Sequence, residues 1–242
     1  MSANVRSRFA GLRVTQGAMV IAGLELGLSL VWLLADEPTR LAIRPWLEAS
    51  PAAVLEHGRV WTLITGMFLE TSLIALLLHM LVLWSFVPTL ERFWGTSRFY
   101  RFVAVTGLTG TIVGCALASL GLPRVAAVSG LDPVIYASIV AFGVLYARQP
   151  VQFFGVLPLT GRQLMYGFLA FLALSVGFSR DVVSGGAFAA AMLAAAILTS
   201  KRWSPTLAWK KWRIARARSR LKVMAGGKGH VPPVRDENKW LN

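Results

Sequence analysis

Apolar residues fall in long blocks along this chain, at 17–35, 72–87, 102–120, 133–147, 163–178 and 182–200, with polar segments between them. Several blocks approach or exceed the roughly 20 residues that cross a bilayer as a helix. The pattern predicts an all-α integral membrane fold with six transmembrane helices. Residues 36–70 form a long first loop in which Trp46, Trp61 and Phe68 stand among charges, so it is expected to be half-embedded. A signal peptide has the same basic flank and apolar core as residues 1–35. The run is long, however, and Asp36-Glu37-Pro38 offers no small-x-small cleavage site, so it reads as a retained first span.

The blocks carry local signals. Glu25 lies near the middle of the first, and an ionisable group at that depth is expected to face the bundle interior. Residues 90–101 read as a short polar turn rich in aromatics, as at a water–lipid boundary. The third block holds Gly110-x-x-x-Gly114, and small residues one turn apart let helices approach closely; packing within the bundle is the expected use. In the fourth, Asp132 suits an N-cap and Pro133 the first helical position. Residues 148–162, with Pro150 and Pro158, read as an interfacial turn.

Composition agrees. Of 242 residues, 55% are apolar and 15% charged, with mean hydropathy +0.59, which excludes an ordinary soluble domain. The net charge of +14 gathers after residue 200. There Trp203, Trp209 and Trp212 alternate with Lys210, Lys211, Arg213 and Arg216, a pattern expected to lie on anionic lipid headgroups; nucleic-acid binding is the sharper alternative and is not expected. The chain thus divides into a cytoplasmic N-tail (1–14), a membrane domain (15–200), a basic interfacial helix (201–224) and a disordered tail (225–242). Lys and Arg favour the segments that lie inside when both termini are cytoplasmic. Cys115 is the single cysteine, so no intramolecular disulfide forms. No CxxC or His-rich spacing appears, and no metal or cofactor is expected.

The stretch Ser129-Gly-Leu-Asp-Pro-Val-Ile-Tyr-Ala137 resembles the nucleophile segment of rhomboid intramembrane proteases, Gly-x-Ser-Gly-x-x-Tyr/Phe-Ala, with Gly130, Leu131, Tyr136 and Ala137 on the frame. Trp61 matches the tryptophan of the family's Trp-Arg motif, although Thr62 replaces the arginine. Leu90, Glu91 and Gly95 match its Leu-Glu-x-x-x-Gly, and Gly185-Gly186 its paired glycines in the sixth span. The resemblance covers residues 60–200 and implies a rhomboid-like bundle in which Trp61, Glu91, Gly95, Gly130, Gly185 and Gly186 are structural. It also implies a bacterial inner-membrane protein.

The same frame implies lost chemistry. Asp132 stands at the nucleophile position and Val183 at the base position, while Ala75 and His79 replace the oxyanion-hole pair and Glu70 replaces the histidine at the head of the second span. A serine protease needs a hydroxyl, a general base and oxyanion donors, and valine accepts no proton. A rival register makes Ser129 the nucleophile, but it puts Ala127 at the loop glycine and loses the Tyr136 match. None of the three histidines, His57, His79 and His230, lies in the sixth span. Asp132 is either a helix cap alone or the partner of His79, with Glu70 at the mouth of the cavity they share. A metal or proton relay there needs a third ligand, and only Glu70 is on offer. The resemblance therefore implies a non-catalytic member that binds transmembrane segments of client proteins between spans two and five. Glu70, His79, Asp132 and Tyr136 are the binding residues it implies. An active protease with a divergent site is the alternative, and an ion or small-solute pathway through Asp132 and His79 the third.

Overall fold

The computed structural model describes residues 15–121, 129–153 and 157–200, together with Arg213 and Arg216. The N-tail, nearly all of the basic tail expected at 201–224, and the tail at 225–242 lie outside the described residues.

The first helix, α1 (Gln16–Leu34), has Thr15 at its N-cap, but the Thr15 side chain does not cap it. Its free amides are served from elsewhere in the chain. The Glu91 carboxylate accepts the Gly17 and Ala18 N–H groups, each at 2.9 Å, and also the Thr15 hydroxyl. A second helix, α2 (Glu37–Leu47), has no buried residue. Arg40 turns back from it to the last carbonyls of α1, donating to Trp32 O at 2.9 Å and Leu33 O at 2.8 Å. A π turn (Ala52–Glu56) and α3 (Thr62–Thr65), continued by a 3₁₀ turn (Gly66–Phe68), complete the first loop. Trp61 stacks on Trp46 there, with ring centroids 6.0 Å apart, and Arg59 sits 4.2 Å over the Trp46 ring. The loop is thus more helical than its sequence suggests, with Leu41, Trp46 and Leu55 facing outward.

The segment 62–68 meets α4 (Leu73–Ser85) at a bend of 86°. Ser72 caps α4 by accepting the Ala75 N–H at 3.4 Å. The residues expected to be a polar turn, 90–101, are instead helical: α5 (Val87–Trp94) runs to Gly95, and α6 (Thr96–Ser119) starts at once. Gly95 has φ 79°, a conformation glycine adopts without a Cβ penalty, so a single residue breaks the helix where a loop was expected.

Three helices remain among the described residues. α7 (Asp132–Leu145) is buried at every residue from 133 to 143 except Tyr136. α8 (Gly161–Ser179) begins with a Thr160–Gln163 capping box. α9 (Val182–Thr199) is capped by Asp181, which accepts the Ser184 N–H at 3.0 Å. A β-hairpin, β1 (Pro150–Phe153) paired antiparallel with β2 (Leu157–Thr160), joins α7 to α8 where a plain turn was expected.

Small residues hold the centre together. α9 packs against α6 and α7, presenting Ala187, Ala191 and Ala195, all buried. A Cβ on Gly110 would lie 2.5 Å from Pro133 Cβ, so Gly110 serves packing within the bundle. The paired glycines do the same on two sides: a Cβ would meet Val176 at Gly185 and Leu117 at Gly186.

Four helices, α1, α6, α8 and α9, are long and apolar enough to cross a membrane, and a fifth span arises if the bent pair 62–85 is counted as one. The expected count of six spans is thus not reached among the described residues by length and composition alone. α4 has 13 residues and α7 has 14, each about 20 Å long at 1.5 Å per residue, against about 30 Å of hydrocarbon. A short helix is tolerable at depth when protein surrounds it, which is how α7 sits.

Candidate functional site

Four ionisable side chains from three helices and one break converge. His79, buried on α4, places Nδ1 2.6 Å from Glu25 Oε1 of α1 and Nε2 3.0 Å from Asp132 Oδ1 of α7. Glu70 brings Oε2 to 3.9 Å from His79 Nδ1. Glu25 is fully buried, whereas the Asp132 side chain is 37% exposed. The cluster is dry at the Glu25 end and open at the Asp132 end.

Asp132 does not act as the helix cap expected for it. It is the first residue of α7, Leu131 holds the cap position, and no side-chain cap bond forms. The carboxylate turns to the imidazole, because a buried histidine without a partner is costlier than a helix end with one uncapped amide.

Glu70 is fixed by its backbone and its neighbours. Its N–H donates to Ser29 Oγ at 2.9 Å, and its Oε1 accepts the Ser72 N–H at 2.9 Å. Gly130 gives it room: at φ 92°, a Cβ there would lie 2.7 Å from Glu70 Oε2. The Gly130 N–H donates to Gly66 O at 2.9 Å, tying the start of α7 to the first loop.

Beside the cluster lies a cleft of about 180 Å³ between α4, α7 and α8, lined mainly by apolar side chains, among them Tyr136, Phe168 and Phe171, with His79 and Asp132 as polar members of the lining. Tyr136 stacks on Phe188 of α9, with centroids 5.1 Å apart. Ala75 also lines the cleft, whereas neither Ser129 nor Val183 does. Val183 is wholly buried in the first turn of α9. The two histidines among the described residues are His79, with a carboxylate on each ring nitrogen, and His57, whose Nδ1 lies 3.0 Å from Ala52 O.

The structure thus brings Glu70, His79, Asp132 and Tyr136 to one place. The sequence marked Glu25 as facing inward but not as the histidine's second partner. That pairing spans 54 residues and leaves no local pattern. Ser29, four residues after Glu25 and so on the same face of α1, is the one signal available. Glu91, Gly95 and Trp61 lie away from the cluster; Glu91 and Gly95 organise the start of α1 and the break before α6.

These features define a multi-pass, mainly helical integral membrane protein with a buried polar cluster beside an apolar cleft. The family described as "Eukaryotic integral membrane protein (DUF1751)" matches residues 18–200, and the chain belongs to it. The match begins inside α1 and ends just past α9. Because that family is described as eukaryotic, the bacterial inner membrane expected above is not supported. A comparison with curated proteins finds no match.

Proposed function

We propose that this is a rhomboid-like membrane protein without protease chemistry, which holds a transmembrane segment of a client protein in the cleft between α4 and α8. The observation that carries the reading is a mainly apolar cleft with polar groups in its lining: His79 and Asp132 line it together with Tyr136, Phe168 and Phe171. The apolar lining suits a helix in lipid. Its polar groups offer hydrogen bonds to a polar or helix-breaking residue in that segment, which hydrocarbon does not supply. The absence of proteolysis in this reading is supported by Val183 at the base position, which accepts no proton, and by Ser129, which does not line the cleft that His79 lines. Both termini are cytoplasmic in this reading, with the basic tail on anionic headgroups.

The test uses the full chain in proteoliposomes with single-span peptides. A photo-crosslinker at Phe171, in the cleft, captures a peptide carrying a central polar residue. One at Phe178, 87% exposed and not among the cleft-lining residues, does not. Equal capture at both positions defeats the proposal. So does cleavage of the peptide, or labelling by a serine-directed fluorophosphonate, that disappears in Ser129→Ala; either result identifies an active protease.

A further inference from the structure

We propose that Glu70, His79 and Asp132 bind one divalent first-row transition-metal ion, with Glu25 as the positioning residue for the imidazole. One donor atom from each of the three lies within 4.8 Å of the others. They arrive from the break before α4, from α4 itself and from α7, so the fold and not local sequence assembles them.

Two further observations point to a cation. Three carboxylates surround a single imidazole, which offsets at most one of their charges. Glu25 Oε2 is also buried and accepts no hydrogen bond from any described residue, although Glu25 itself is fully buried. Buried carboxylate oxygens are ordinarily paired, because an uncompensated charge in a dry site is expensive. A dication within the cluster supplies the missing charge.

The histidine is already set for ligation. Metal-bound histidines usually donate the far ring N–H to a carboxylate, which fixes the tautomer and aims the lone pair. Glu25 Oε1, 2.6 Å from Nδ1, fills that role and leaves Nε2, 3.0 Å from Asp132 Oδ1, as the nitrogen that would take the ion once it gives up its proton. Glu70 is held in place by Ser29, Ser72 and the space left at Gly130. The partly exposed Asp132 gives an entry path. One imidazole nitrogen with carboxylate oxygens suits Mn²⁺, Fe²⁺, Co²⁺ or Zn²⁺, whereas Ca²⁺ and Mg²⁺ favour oxygen alone and Cu⁺ favours sulfur.

The site does not rest on the client reading: metal binding without peptide capture, or capture without metal, separates the two. The experiment uses the purified full chain in nanodiscs, stripped with chelator and titrated with Co²⁺ and Zn²⁺. Elemental analysis gives the stoichiometry, and the visible ligand-field absorption of Co²⁺ reports the donors. The expected result is one ion per chain with a spectrum showing nitrogen and oxygen ligation. Asp132→Asn and Glu70→Gln lower the affinity at least tenfold. Glu25→Gln lowers it about 10–100-fold and shifts the Co²⁺ band, which Glu25→Asp partly restores. The wild-type measurement stands alone should a variant misfold. Failure of the wild-type chain to bind stoichiometrically overturns the proposal. So does binding retained in the His79→Gln/Asp132→Asn double variant, binding lost instead in His57→Ala or His230→Ala, or a cluster that takes up protons only.

Discussion

Glu91 lies 74 residues from Gly17 in sequence, yet its carboxylate accepts the Gly17 N–H at 2.9 Å and closes the open end of α1. The same carboxylate accepts the Thr96 hydroxyl at 2.8 Å, so one side chain binds the starts of α1 and α6 to α5. Burial alone would push the Glu91 pKa up. The hydrogen bonds from Thr15, Thr96, Gly17 and Ala18 outweigh it and hold the carboxyl below its ordinary 4.5.

A pH prediction follows from that direction. A depressed folded pKa means the ionised form stabilises the fold, fully above the unfolded value near 4.5, and that this contribution fades as pH falls through the folded value. Thermal melts in detergent are expected to hold a plateau above about pH 5 and to drop below it. Glu91→Ala, which strands the Gly17 and Ala18 amides, costs about 2–4 kcal/mol and removes this part of the acid dependence. A Glu91→Ala melt with the wild-type midpoint and slope would contradict the assignment.

Glycines on the first and third spans give opposite expectations. A Cβ at Gly110 would press into Pro133, while nothing lies within 4 Å of one at Gly23. Gly110→Ala should destabilise by about 1–3 kcal/mol through overpacking. Gly23→Ala should be neutral or stabilise by up to about 1 kcal/mol through helix propensity. Equilibrium unfolding of the two variants in mixed micelles measures the difference, and equal effects would remove the packing argument.

Hydropathy made the membrane class and most helix positions legible, because burial in lipid and burial in protein both demand apolar blocks. What it could not register was length against direction. The block at 72–87 reads as a span in its own right, but the chain turns 86° before Leu73, leaving α4 with 13 residues, too few to span alone. Gly95 gave no sign that one positive-φ residue would replace a whole turn. The Asp132–His79 contact was open to inference because the resemblance read from the sequence implies that both stand beside one cavity. Glu25 was not, since its link to His79 depends on how α1 leans on α4, a fact carried by tertiary packing alone.

The first loop has a measurable depth. Trp46 is 53% exposed on α2, which buries no residue, so this apolar group is expected to rest in the lipid interface. Glu37, nine residues before Trp46 and exposed, falls on the opposite side of the helix from it. Spin labels at Trp46 and Glu37 in liposomes should part company: oxygen relaxes the first more strongly, and a water-soluble nickel complex the second. Matching accessibility at both sites would mean α2 stands clear of the membrane.

The cluster itself can be dissected by removing partners singly and together. His79→Leu leaves the fully buried Glu25 carboxylate with no hydrogen-bond donor, and breaking a buried pair in this way costs about 3–5 kcal/mol. Replacing both members, as in Glu25→Leu/His79→Leu, removes the stranded charge with its partner, and such apolar replacements are often neutral or stabilising. The double variant is therefore expected to melt above His79→Leu, with a coupling free energy of about 2 kcal/mol or more in the cycle. Asp132 behaves differently because water reaches its side chain: Asp132→Asn keeps a hydrogen-bonding side chain beside Nε2 and should cost under about 1.5 kcal/mol. If the single and double variants are equally destabilised, Glu25 and His79 do not depend on each other and the cluster is no unit. If the double variant is as stable as wild type but loses metal and client binding together, the fold has no need of these charges, and what keeps them in an apolar bundle is the work done at the cleft.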